Sequence, residues 1–150
     1  MAALFAFLHH VSAFTLVAAL AVEFVLIRGT LTVESARRIQ TADMVLGISA
    51  GVLLVVGLAR VFYFEKGATY YFHTWTFIAK LALFVIIALI SIIPTMEFQR
   101  WRPAVQAGQV PAVSAEKIKS IRSILHYEMI GVVLIILFAA LMAKGIGLML

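Results

Sequence analysis

The chain has 150 residues, 64% of them hydrophobic and only 13% charged, with a formal net charge of +5. Soluble domains run roughly 45–50% apolar and about 25% charged, so a water-soluble globule, a disordered chain and a nucleic-acid module are excluded. The absence of cysteine removes disulfides, thiolate nucleophiles and iron–sulfur clusters, leaving His, Met, Tyr and carboxylates for any metal chemistry.

A span of the hydrocarbon core needs about 20 mostly apolar residues. The first candidate, 4–27, carries His9, His10 and Glu23 and lacks a basic N-terminal run, so it reads as a retained helix rather than a cleaved leader. A polar link with Arg28, Arg37 and Arg38 leads to the second span, 44–64, which holds Gly47, Gly51, Gly57 and Arg60. Gly47 and Gly51 form a Gly-x-x-x-Gly pair, read first as a helix-packing device and second as a cofactor slot. A short turn around Lys66–Gly67 precedes the third span, 74–93, with Lys80 inside it and Pro94 where it should stop or kink. A polar loop then runs to His126, with Ser114 a candidate N-cap, before the fourth span, 127–150. The predicted fold is a single all-α domain over 1–150, an antiparallel bundle of four transmembrane helices.

The first and third loops hold most of the loop Lys and Arg, which predicts that they are cytoplasmic and both termini periplasmic in a bacterial inner membrane. Threaded this way, the ionisable groups fall into two layers. His9, His10, Arg60, His73, Lys80 and Lys144 lie towards the termini, with no acid within the spans. Glu23, Asp43, Glu97, His126 and Glu128 lie towards the opposite end, flanked by Arg28, Arg102 and Arg122.

A charge inside hydrocarbon costs roughly 2.5–3.5 kcal/mol even on mild insertion scales. Lys80 therefore either snorkels outward or joins Arg60 in stabilising an anion, since no carboxylate is expected at that depth. His73, Phe77, Lys80 and Phe84 share one helical face, and His9 and Glu23 share another while His10 points elsewhere. Asp43 is expected to form an ion pair with a flanking arginine. Glu23 and Glu128, being deeper, should either pair or carry a proton, which makes them candidates for a proton relay. A b-type haem would use His9 or His10 as an axial ligand and Arg60 and Lys80 for its propionates. A second ligand is not obvious, although His73 is near. No H-E-x-x-H motif and no Gly-rich phosphate loop occurs.

Taken end to end, the chain resembles a bacterial inner-membrane family defined as domain of unknown function 2214. The resemblance rests on His9–His10, Glu23 with Arg28, Arg37–Arg38 before Asp43, and Arg60 before Lys66–Gly67. It continues through Phe77-Ile78-Ala79-Lys80-Leu81, Pro94–Thr95, Trp101–Arg102 and Lys144–Gly145. More distantly the layout is similar to HemJ-type protoporphyrinogen oxidases and CopD-like membrane proteins. In the HemJ type an early His and a third-helix Lys are functional and haem b is bound, which places His9 or His10 and Lys80 after Trp75 in comparable positions. The Arg-x-Leu-Asn-Glu pattern of that family's last helix is only partly matched by Arg122-Ser123 and Glu128, because Tyr127 stands where Asn is found.

The expectation is a membrane protein that binds haem b and acts in redox or porphyrin chemistry, with a porphyrin or quinone partner. Lys80, Glu23 and Glu128 are the candidate catalytic groups, His9, His10, Arg60 and Lys80 the cofactor-binding ones, and His9 and His10 the metal ligands. A small ion- or proton-coupled transport protein or a non-catalytic structural bundle stands as the alternative, and a second copy of the chain, in a homo-oligomer, is a further candidate partner.

Overall fold

The computed structural model describes residues 1–149. Six α-helices follow in order: α1 (Ala2–Leu26), α2 (Val33–Ala59), α3 (Ala68–Phe72), α4 (Trp75–Arg100), α5 (Arg102–Gln106) and α6 (Ala115–Ala143). No strand occurs among the described residues. α1, α2, α4 and α6 are each long and apolar enough to cross a membrane.

The helices differ from the hydropathic spans at their ends, for local reasons. α2 starts at Val33, eleven residues before its apolar stretch, because Thr32 and Ser35 form a reciprocal capping box. α6 starts behind Ser114, whose hydroxyl accepts from the Lys117 amide at 3.2 Å, as its position in sequence predicts. α4 runs through Pro94 to Arg100, so the proline does not end it. Hydropathy detects the lipid-facing section of a helix, whereas caps decide where the backbone begins to coil.

α6 stops at Ala143, short of the predicted limit, at Gly145 (φ 75°) and Gly147 (φ 105°). The tail then folds back over the start of α4. The Trp75 amide donates to the Gly147 carbonyl at 2.9 Å, the Met149 amide to the His73 carbonyl at 2.8 Å, and the Thr76 hydroxyl to the Ile146 carbonyl at 2.9 Å. A Cβ at Gly147 would sit 2.8 Å from Thr76 and 2.9 Å from the Trp75 indole nitrogen, so only glycine fits this clasp.

α1 packs along most of α2, and α4 along most of α6, while the two pairs touch each other far less. α4 and α6 pack closely at Gly131, where a Cβ would collide with the Ile87 side chain. The main core lies at the end away from the termini, where Leu20, Ile39, Phe98, Trp101, Ile121 and Leu125 interlock. A smaller cluster of Val61, Tyr71 and Phe77 closes the termini end. Between them the seam separating the two helix pairs is hollow.

Candidate functional site

Two cavities occupy that seam. The one nearer the termini has a volume of about 210 Å³ and is bounded by His9, Gly57, Arg60, Tyr71, Lys80 and Met142. The other, of about 340 Å³, extends to Ser91, Thr95 and Glu128. Ala13, Leu53, Phe84, Ile135 and Ile136 belong to both walls, so the cavities adjoin end to end.

At the termini end, α1 directs His9 into the cavity, and its Nδ1 is buried with no hydrogen-bond partner. Gly57 makes this placement possible: a Cβ there would stand 3.3 Å from His9 Cε1 and 3.5 Å from Nδ1. α2 ends in a single π-helical turn, Arg60–Phe64, a distortion often found at functional sites. The turn carries Arg60 to Glu65, which neutralises it, contrary to the expectation that no acid would be available there. Tyr71 donates to the second oxygen of Glu65 at 3.2 Å. The hydrogen bond from Arg60 holds the Glu65 carboxyl below its ordinary range. Burial and the charge of Glu65 push the Tyr71 phenol up to about 12. Lys80 has no ion-pair partner among the described residues, and its Nζ sits 5.2 Å from the centre of the Phe77 ring.

The other predicted imidazoles are elsewhere. His10 is exposed and bonded through Nδ1 to the Ala6 carbonyl at 2.6 Å, and its ring meets that of His9 edge-on at 6.1 Å. The two are not placed as a ligand pair, and no group of three or more His, Asp or Glu residues among the described ones could hold a metal ion. His73 precedes α4, bonded to the Thr69 carbonyl at 2.8 Å, so of the predicted face only Phe77, Lys80 and Phe84 line the cavities. His126 stacks on Phe24 at the far end.

The far end departs from the expected ion pairs. Asp43 accepts from the Thr95 hydroxyl at 2.6 Å rather than from an arginine. Arg28 lies 4.0 Å over the Phe24 ring, and Arg122 donates to the carbonyls of Ile27 at 2.9 Å and Arg28 at 3.4 Å. Glu97 does meet cations, Arg100 at 3.5 Å and Lys117 at 3.8 Å, and Glu34 at the start of α2 pairs with Arg38 at 2.8 Å. Glu23 and Glu128 are each 1% exposed, and none of their carboxylate oxygens has a hydrogen-bond partner. They lie within electrostatic range of each other and of Asp43.

Sequence reading missed several groups. Glu65 and Arg60 are five apart, a spacing that pairs across a π turn but not across an α-helical one. Met142 and Tyr71 carry no local signal, since both residue types fill apolar helices without chemical purpose. Within the bundle Gly47 and Gly51 are not points of close helix packing: a Cβ at either meets nothing within 4 Å among the described residues. Gly47 instead borders the larger cavity.

A bundle of four apolar helices with buried ionisable groups in its seam is an integral membrane protein by construction. The match to the family described as predicted membrane protein (DUF2214) covers residues 1–147, and the chain belongs to that family. No curated protein and no solved structure matches the chain.

Proposed function

We propose that the protein binds a haem b in the termini-end cavity and serves membrane redox or porphyrin chemistry. The observation that carries this reading is His9, whose buried Nδ1 lacks a partner in an apolar cavity that also presents Arg60 and Lys80. The donor set fits the group. His9 would hold the iron, Arg60 and Lys80 would suit the propionates, and the Met142 thioether in the same wall would be available as a second ligand. About 210 Å³ is small for a macrocycle, so the helix pairs would have to part around His9 and Lys80 to admit it. When bound, the haem would supply one-electron chemistry.

The protein's own part is to exclude water and to balance charge. Glu65 sets the charge of Arg60 and leaves Lys80 as the uncompensated cation that an incoming anion meets. Glu23 and Glu128 supply proton exchange at the far end of the seam. The same reading places both termini and the haem at the periplasmic face of a bacterial inner membrane, since loops one and three are the more basic.

The test is an absorption spectrum of protein purified in mild detergent, as isolated and after haem reconstitution. A Soret band that is lost in His9→Ala, retained in His10→Ala and shifted in Met142→Ala is the expected result. A preparation that stays colourless after reconstitution overturns the proposal.

A further inference from the structure

The larger cavity has a different chemistry from the one beside His9. Its walls are apolar and small on two sides, with Ala13, Gly47, Ala50 and Ala88 leaving a slot. The Gly47 Cα faces open space, so the slot is not closed by a neighbouring helix. Ile92 on α4 and Ile136 on α6 form part of the wall and are 49% and 54% exposed on the lipid-facing surface. A molecule dissolved in the bilayer therefore has a lateral way in.

The polar groups at the deep end are Glu128, Ser91 and Thr95. Thr95 is already committed to Asp43. Glu128 is not: its side chain is buried and neither oxygen completes a hydrogen bond, although the Ser91 hydroxyl lies beside it. An unmade hydrogen bond on a buried polar group costs about 1–3 kcal/mol, so a ligand that satisfies it is favoured over one that does not. An acyl chain filling the slot would leave Glu128 as it is.

We propose that this slot binds a flat, lipid-soluble ring bearing an oxygen at its edge, of the quinone class, with Glu128 and Ser91 as its polar contacts. A carboxyl suits both forms of such a ring. It accepts from a quinol hydroxyl, and with its proton on it donates to a quinone carbonyl. The slot lies along α6 from Glu128 to Ile136, about 12 Å at 1.5 Å per residue, which accommodates a single substituted ring with its tail leaving past Ile92 and Ile136. This site is separate from the proposed haem ligand, and neither Glu128 nor Gly47 borders the cavity around His9.

The experiment is calorimetric titration of the purified, delipidated protein with decylubiquinone. Saturable binding is expected in the wild type. Gly47→Leu, whose Cβ meets no neighbour within 4 Å and whose side chain starts from the slot wall, should weaken it by about tenfold or more. Gly51→Leu, whose Cβ also meets no neighbour within 4 Å but which does not border the slot, should leave it unchanged. Glu128→Leu should weaken binding about tenfold, and Glu128→Gln, which keeps a donor and an acceptor, should retain it within about threefold. His9→Ala should leave decylubiquinone binding intact, and Gly47→Leu should leave any Soret band intact, so the two sites fail separately. Absence of saturable binding, affinity indifferent to Gly47→Leu, or displacement of decylubiquinone by palmitate with equal ease would each overturn the proposal.

Discussion

At the termini end Arg60 is neutralised by Glu65, which Tyr71 also holds, whereas at the far end Glu23 and Glu128 are buried with no cation and no completed hydrogen bond. The packing is reversed. The far end has the dense core around Phe98 and Leu125, while the termini end has only Val61, Tyr71 and Phe77 and is largely cavity. The unsatisfied carboxyl of Glu23 thus lies beside the dense core and that of Glu128 at the deep end of the larger cavity, whereas the arginine at the loosely packed end is balanced. A rigid surround can hold an unfavourable group in place, and such groups persist when the rest of the fold over-determines them. The loose end instead needs its arginine balanced internally, so that His9 and Lys80 are what a ligand meets.

The largest effect should come from breaking the grip itself. Gly131→Leu drives a side chain into Ile87 where α6 crosses α4, and overpacking at such a contact costs about 3 kcal/mol. Thermal unfolding in detergent should show a lower midpoint or loss of the monodisperse species. An unchanged midpoint would show that the α4–α6 contact does not anchor the bundle.

Next in size is the asymmetry between acids and bases. Replacing Glu128 by Leu removes a buried group with no partner and should raise stability by about 1–3 kcal/mol. Arg60→Leu strips Glu65 of its partner and should lower stability by about 1 kcal/mol, because that pair is part-exposed. If both substitutions shift the unfolding midpoint the same way, the contrast between the two ends is wrong. A smaller test concerns the glycines of α2. Gly47→Ala and Gly51→Ala each meet open space, so each should gain about 0.5–1 kcal/mol from helix propensity, where a packing role would make them destabilising.

These contrasts also mark what could be read from the residues in order. The four helices and the division of charge into a basic and an acidic layer follow from apolar run length and antiparallel threading, and the helices stand as expected. That His9 and His10 point to different faces follows from 100° per residue, but which of them meets the cavity does not. The Arg60–Glu65 pair was hidden because it depends on a π turn, whose five-residue period has no compositional mark. The fate of Asp43 was hidden because Thr95 is distant in sequence and weakly polar, and a search for partners by charge looks to the arginines first. The role of the glycines was inverted for a related reason: a missing side chain serves close packing and open space alike, and only the position of the neighbouring helix decides. Gly131, which does pack closely, belongs to no Gly-x-x-x-Gly pair.

The smallest prediction sits at the balanced end and depends on pH. Glu65 has its carboxyl held below the ordinary value of 4.5, first by the hydrogen bond from Arg60. A depressed carboxyl contributes stability above its unfolded value and loses it as pH falls through the folded one. The pair should therefore support the fold fully above about pH 4.5 and progressively less below it. Being part-exposed, it is worth about 0.5 kcal/mol. In Glu65→Gln the unfolding midpoint should be slightly lower at neutral pH and flatter across the acid range than in the wild type. Salt should narrow the gap between the two proteins, as it screens an accessible pair. Identical acid limbs in the two proteins would mean that Glu65 does not neutralise Arg60, and the termini end would then carry an uncompensated arginine beside Lys80.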